Sequence, residues 1–253
     1  DRSVGTAAST GGTGNLGGAR SGYSVGTTTL QASLVAGQKV WIKNEAWNEA
    51  VVLSVTGAAG APILHEGYNT ARGDAPTGAN RPQNNRAAAA GLGIDIGAPQ
   101  QRLAHLRVTA AGSDGIRVNN VNRIALENVQ SYSNTSDGID IVGGSGETTL
   151  IGCEFDNNSA LGVNVSGAGA ATFKSCYIHD NSTNGLSSGV AGAAPNLDFT
   201  IIEANAADAV THVSTNLRLQ NCTIDGNTGA ATDGIAGTTP ALVICLGTIF
   251  SNN

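Results

Sequence analysis

Apolar residues in the C-terminal two-thirds of the chain recur with a long period. Cys153, Cys176, Cys222 and Cys245 are spaced 23, 46 and 23 residues apart. The gap in that series falls on Phe199, and walking back from Cys153 reaches Val129 and Leu106. A second column runs nine residues behind the first: Gly115, Gly138, Gly162 and Gly185, each followed by Ile or another aliphatic residue. A third lies five residues behind the first, at Asn134, Asn158, Asn181 and Asn227, with Asn205 one residue late. Fixed-period self-similarity of this kind is the mark of a repeat architecture.

Each repeat predicts the same elements. A short alternating strand (125–129, 173–176) leads into a polar Asn/Asp/Ser turn. A second strand follows (137–141, 161–165), then a Gly/Ser loop such as 143–146. Alternation sends one side chain inward and the next outward. About 23 residues are too few for a strand and a helical crossover, which take about 30. The unit fits one coil of a parallel β-solenoid whose strands pair with their equivalents about 4.8 Å away. The ladder residues are then Leu106, Val129, Cys153, Cys176, Phe199 and Cys222 in one inward column, and Asn134, Asn158, Asn181 and Asn227 in another. All four cysteines are read as inward thiols, since parallel Cβ vectors suit a bridge poorly. Segment 241–253 fits the cysteine column at a shift of 23 and the Thr223–Asn227 pattern at a shift of 25, so its register stays open.

The N-terminal part is organised differently. Residues 1–26 read as a Gly/Ser/Thr-rich arm. Leu30, Leu34 and Val35 at helical spacing, followed by Gly37, predict a short helix over 27–36 that caps the solenoid. The expected division is therefore an arm with capping helix at 1–37 and a solenoid at 38–253. Strands are predicted at 40–42, 50–55 and 62–68, and a long loop at 70–92. A solenoid exposes backbone at its terminal coils. With no cap after Asn253, a second subunit or larger assembly is expected to cover that edge, unless the natural chain continues. A start at Asp1 is that of a processed chain or a fragment.

Composition narrows the classes. There are 35 Gly, no Met, and aromatics at 4%, which suits a narrow core of small stacked residues. Charged residues are only 13%, too few for the polar faces of a helical bundle. Thirteen Lys and Arg against 19 Asp and Glu argue against a nucleic-acid partner. No apolar run approaches the ~18 residues of a membrane span.

The chain resembles the right-handed parallel β-helix, or pectate-lyase-like, superfamily. The likeness rests on Val40-Trp41-Ile42-Lys43, Trp47 to Val51, Ala61-Pro62-Ile63, Gly67-Tyr68, the repeated Asp-Gly-Ile and the asparagine column. It covers 38–253 and implies an all-β, right-handed solenoid. A softer resemblance, through the 1–26 arm and Gly67-Tyr68 with Arg72-Gly73-Asp74, is to β-helix proteins of tailed phage particles. Fold does not fix function in this superfamily, which holds lyases, hydrolases, adhesins and tailspikes.

A lyase of this kind implies carboxylates for Ca²⁺ and a base for the proton α to a uronate carboxyl. The best candidates are Asp114, Asp137, Asp140 and Arg117. Asp114 and Asp137 should stack, with Asp208 and Asp233 further on, while Leu161 and Asn184 break the row. Arg117 and Asp140 should stack and can pair. In a lyase, Arg117, Asp137 and Asp140 would be catalytic and Asp114, Asp137 and Asp140 would hold the metal. Tyr132 and Tyr177 are the aromatics expected to face out and stack on sugar rings. His65, His105, His179 and His212 suggest no triad. The bland readings compete throughout: turn-type Asp-Gly, structural histidines, and a chance Arg-Gly-Asp. The sequons at Asn134, Asn157, Asn164, Asn181 and Asn221 carry little weight in so Asn-rich a chain. The expectation drawn is a non-catalytic structural or adhesive β-helix of a virion or extracellular surface, self-associating, without a required cofactor. The alternative is a carbohydrate-active enzyme with a polysaccharide partner, a lyase before a hydrolase, with Ca²⁺ as its ion.

Overall fold

The computed structural model describes residues 2–4, 34–143, 146–167, 169–189, 194–213, 216–228, 234–237 and 242–253. The chain winds through three parallel sheets of ten, nine and eight strands, meeting them in the same order in every coil. One coil shows the rule: Gln101–Ala104 in the first sheet, Arg107–Thr109 in the second, Ile116–Asn119 in the third. From Gln83 onward, strands pair with partners 22 to 26 residues further on. The coil therefore has three strands. The one missed in the sequence is the second-sheet strand, such as Gln130–Tyr132, inside the expected polar turn. Its three residues are polar on both faces, so it carries no hydrophobic alternation. For the same reason Gln83–Asn85 and the 3₁₀ turn at Gly78–Asn80 fall within the long loop that the sequence predicts at 70–92.

Inward positions stack like on like. Leu103, Leu126, Leu150, Phe173, Leu197 and Leu219 line the first sheet. Ile116, Ile139, Val163, Leu186 and Val210 line the third. Each such side chain contributes about 1.5–3 kcal/mol by leaving water, and a narrow core needs no large residues to close it.

The corner between the first and second sheets holds the cysteine column. Leu106, Val129, Cys153, Cys176 and Cys222 are buried there, and all four cysteines are free thiols. Phe199 is not in this column. Tyr177 pairs with Ile201 and Ile201 with Thr223, which places Thr200 between Cys176 and Cys222. Thr200 is fully buried, while Phe199 is 60% exposed at φ 49°. The coil before it is one residue longer than the 23-residue count assumed. Phe199 thus takes the left-handed turn site that Asn128, Gly152, Ser175, Asn221 and Gly247 fill in other coils.

Segment 243–251 settles at a shift of 26, neither 23 nor 25: Thr223 pairs with Ile249 and Leu219 with Cys245. Cys245 therefore follows Leu219 in the first-sheet column and is exposed.

The corner between the second and third sheets is polar and buried. Asn134, Asn158, Asn181, Asn205, Asn227 and Asn253 form one ladder, each Nδ2 donating to the next Oδ1 at 2.9–3.0 Å. Asn205 is in register, not late. Each acceptor oxygen also takes the backbone N–H of the preceding rung, so buried backbone donors are satisfied. The Gly column follows from this ladder. A methyl group on Gly138 would lie 2.7 Å from Asn158 Nδ2 and 2.6 Å from the Gly162 carbonyl oxygen. Buried Asn134 and Asn181 leave no room for a glycan.

At the N-terminal end, Arg2–Val4 adds a parallel strand beside Lys39–Lys43. The rest of the arm, and residues 27–33 of the expected capping helix, lie outside the described residues. Residues 34–36 run without helix into a turn, with Gly37 at φ 82°.

Candidate functional site

The third sheet presents the expected acidic face. Asp114 and Asp137 are neighbours, as the spacing predicts, but the carboxylate of Asp114 accepts the backbone N–H of Asp137 at 3.2 Å. Asp137 does the same for the next coil. Its Oδ1 accepts Leu161 N–H at 3.0 Å, and its Oδ2 accepts Asn164 Nδ2 at 3.1 Å. Asn184 continues the pattern by accepting Asp208 N–H. So Leu161 and Asn184 do not end a row of ligands; they belong to a column that ties coil to coil. Asp233 lies outside the described residues. Asp137 is only 7% exposed. Burial, with the charge of Asp114, pushes its pKa up to about 6 against the hydrogen bond from Leu161.

Arg117 and Asp140 stack in register, but they do not form the expected pair. Arg117 turns to the preceding coil and makes a two-pronged contact with Asp95, at 3.2 and 2.9 Å. A planar guanidinium and a carboxylate one coil apart fit this fork. Asp140 instead accepts Ser166 Oγ at 2.8 Å, and burial raises its pKa against that bond. Calcium takes 6–8 oxygens. Asp114, Asp137 and Asp140 do not converge as a ligand group among the described residues. The face does not fit a Ca²⁺ site.

Tyr132 and Tyr177 sit on the other face, outside the second sheet. Arg107 lies over the Tyr132 ring at 5.9 Å. Tyr177 stacks on His179, with centroids 3.8 Å apart, and its hydroxyl donates to Glu203. The sequence reading gave His179 no role, yet here it meets Glu154 and Asp156 with donor atoms within 4.8 Å of one another. His179 Nδ1 is 2.7 Å from Asp180, and Nε2 is 3.4 Å from Glu154 Oε1. Burial lowers the His179 pKa, but the bonds to Glu154 and Asp180 outweigh it and hold it above its usual value. Buried Arg81 reaches across the coils to the Asn128 carbonyl and to Gln130, and lies 3.6 Å from Glu154 Oε2. Its loop also contains the Arg-Gly-Asp triplet. There the Asp74 carboxylate folds back on the N–H groups of Asn69, Thr70 and Ala71, which lower its pKa to about 2. The triplet is loop structure.

A signal for the second-sheet cluster existed. Asp156 and His179 occupy matching positions one coil apart, with Glu154 two residues before Asp156 on the same face, once a third strand is placed in the repeat. His65 is buried, bonded to Gln101, and its pKa is lowered to about 4 by burial. His212 is buried as well.

The family described as a right handed beta helix region matches residues 92–253. No curated protein sequence matches the chain. Among solved structures it is similar to pectate lyase Pel9A, with TM-score 0.73 and 16% identity over 96% of this chain and 68% of that one. It is also similar to an alginate lyase from Paenibacillus sp. str. FPU-7, with TM-score 0.60 and 11% identity over 87% and 90% of the two chains. A third is the mannuronan C-5 epimerase AlgE4 A-module of Azotobacter vinelandii, with TM-score 0.56 and 12% identity over 85% and 87%. At such identities the likeness is one of fold. These matches lend no support to the phage resemblance.

Proposed function

This chain belongs to the right-handed β-helix family, and from that premise we propose that it acts on an acidic, uronate-containing polysaccharide. The reaction class is proton abstraction α to the uronate carboxyl, as in a lyase or an epimerase. The observation that carries the reading is the outer face of the third sheet, where Asp137 has a pKa of about 6 beside Asp140 and the Arg117 cation. Carbon acids α to a carboxylate ionise only if that negative charge is offset. Arg117 supplies the offset when the substrate carboxylate takes the place of Asp95 in its fork. Asp140, its basicity raised by burial, is the proton acceptor. Asp137 is the second acid–base group. The lyases and the epimerase of similar fold support the substrate class.

Polygalacturonate and alginate are the probes. Formation of an unsaturated uronide reports a lyase, and deuterium uptake from heavy water without chain cleavage reports an epimerase. Neither signal with either polymer would remove this reading.

One observation favours a second reading. The Asp114 and Asp137 carboxylates bind backbone of neighbouring coils, which is a structural use. Under it the chain is a non-catalytic surface or adhesive rod that binds polysaccharide. Exposed Leu242, Leu246, Ile249 and Phe250 would then serve self-association. A stable monomer by light scattering at micromolar concentration counts against that assembly.

A further inference from the structure

We propose that Glu154, Asp156 and His179, on the outer face of the second sheet, form a binding site for a divalent cation of the zinc type. It stands on a different face from the acid–base groups above and does not depend on them.

The argument begins with one hydrogen bond. Asp180 Oδ2 lies 2.7 Å from His179 Nδ1. A carboxylate only accepts, so Nδ1 carries the proton and donates. In the neutral ring, Nε2 then holds a lone pair. That lone pair faces Glu154 Oε1 at 3.4 Å. With the ring protonated a proton lies between them; with the ring neutral a metal ion takes that place. Arg81 does not fill this place. It approaches the other oxygen, Oε2, and spends its other donors on the Asn128 carbonyl and Gln130.

The distances suit a small ion. Ligands about 2.0–2.1 Å from a tetrahedral ion are separated by about 3.4 Å, which is the Nε2–Oε1 spacing found here. Asp156 is the third donor, within 4.8 Å of the others.

The surroundings hold the three donors in place. Asp180 fixes the histidine tautomer, the carboxylate–histidine arrangement that orients imidazole ligands in metal sites. Tyr177 stacks on the ring and sets its plane. Gln130 donates to one oxygen of Asp156 and Asn157 to the other, at 2.9 and 2.8 Å. One imidazole and two carboxylates suit zinc or a similar transition ion. Calcium would want more oxygens and no nitrogen. Bound there, the ion joins two successive coils and keeps at least one coordination position for an outside ligand.

The test is titration of the chelator-dialysed full chain with zinc chloride by calorimetry. Exposed Cys245 is a competing ligand, so the reference protein carries Cys245→Ser. One equivalent is expected to bind, with a rise in melting temperature. His179→Ala should abolish that equivalent. Asp180→Asn, at a solvent-facing residue, should weaken it about 10–100-fold without touching a ligand atom, and it guards against a folding failure of the first variant. No stoichiometric binding in the Cys245→Ser protein means that only a proton lies between His179 and Glu154. That overturns the proposal, as does affinity unchanged by both variants.

Discussion

The two outer faces carry similar residues and use them differently. On the third sheet, carboxylates accept backbone N–H groups of the next coil: Asp114 from Asp137, Asp137 from Leu161. On the second sheet, among the described residues, Glu154 and Asp156 meet side chains: His179, Arg81, Gln130 and Asn157. A carboxylate bound to backbone is part of the scaffold, and its position repeats with the coil. A carboxylate bound to side chains is held by neighbours that are particular to one place. The first arrangement gives regular spacing and shifted pKa values. The second gives convergence, which a ligand needs.

Experiments can break or sharpen this contrast. The largest effect expected is on the third sheet. If it is the acid–base face, Asp140→Asn lowers turnover on the active polymer by about 10²–10⁴-fold. An unchanged rate would leave that face with a scaffold role only. Next comes the corner that divides the faces. Asn181→Ala removes a rung that donates to Asn205 and accepts from Asn158, leaving buried groups without partners. A loss of about 2–4 kcal/mol is expected in urea unfolding; a loss under about 1 kcal/mol would mean the ladder is not a main support.

The third prediction concerns pH. The folded pKa of Asp137, about 6, lies above its unfolded value near 3.8. The stabilising effect of protonated Asp137 is complete below the unfolded value and lost as pH rises through about 6. Asp137→Asn does not titrate, so the variant should gain on the wild type as pH rises from about 4 to about 6. Residual solvent contact screens this to about 1 kcal/mol. A constant difference across that range would remove the shift. The smallest effect is at Phe199, a bulky residue at φ 49° in a turn site filled elsewhere by Asn, Ser or Gly. Phe199→Asn should stabilise by about 0.5–1 kcal/mol. Destabilisation would show that the exposed ring packs usefully.

The periodic features were the legible ones. Cysteine, glycine and asparagine columns repeat because identical backbone geometry makes identical demands on each coil, so the solenoid and its inward face could be read directly. The Asp114–Asp137 stacking was legible for that reason. The slip at Phe199 came from counting a fixed 23 where coil lengths vary. The Arg117–Asp95 fork was missed because counting 23 back from Arg117 reaches Ile94, whereas that coil is 22 residues long and sets Asp95 beside it. The His179 cluster was invisible while the coil was thought to have two strands. Gln130–Tyr132 and its equivalents are too short and too polar to announce themselves.

The asparagine ladder also gives the rod a direction. Each rung from Asn134 to Asn227 donates one amide hydrogen to the next rung toward the C-terminal end, and each carbonyl accepts from the N-terminal side, starting with Ala111 N–H onto Asn134; from Asn158 onward the amide also donates to a backbone carbonyl of the preceding coil. The side-chain dipoles therefore add along the axis and polarise one another, as in a hydrogen-bonded chain of small amides. A coil inserted without an asparagine would split this line into two shorter ones. Its cost should therefore depend on where along the rod it falls, greatest at the middle and least at the ends.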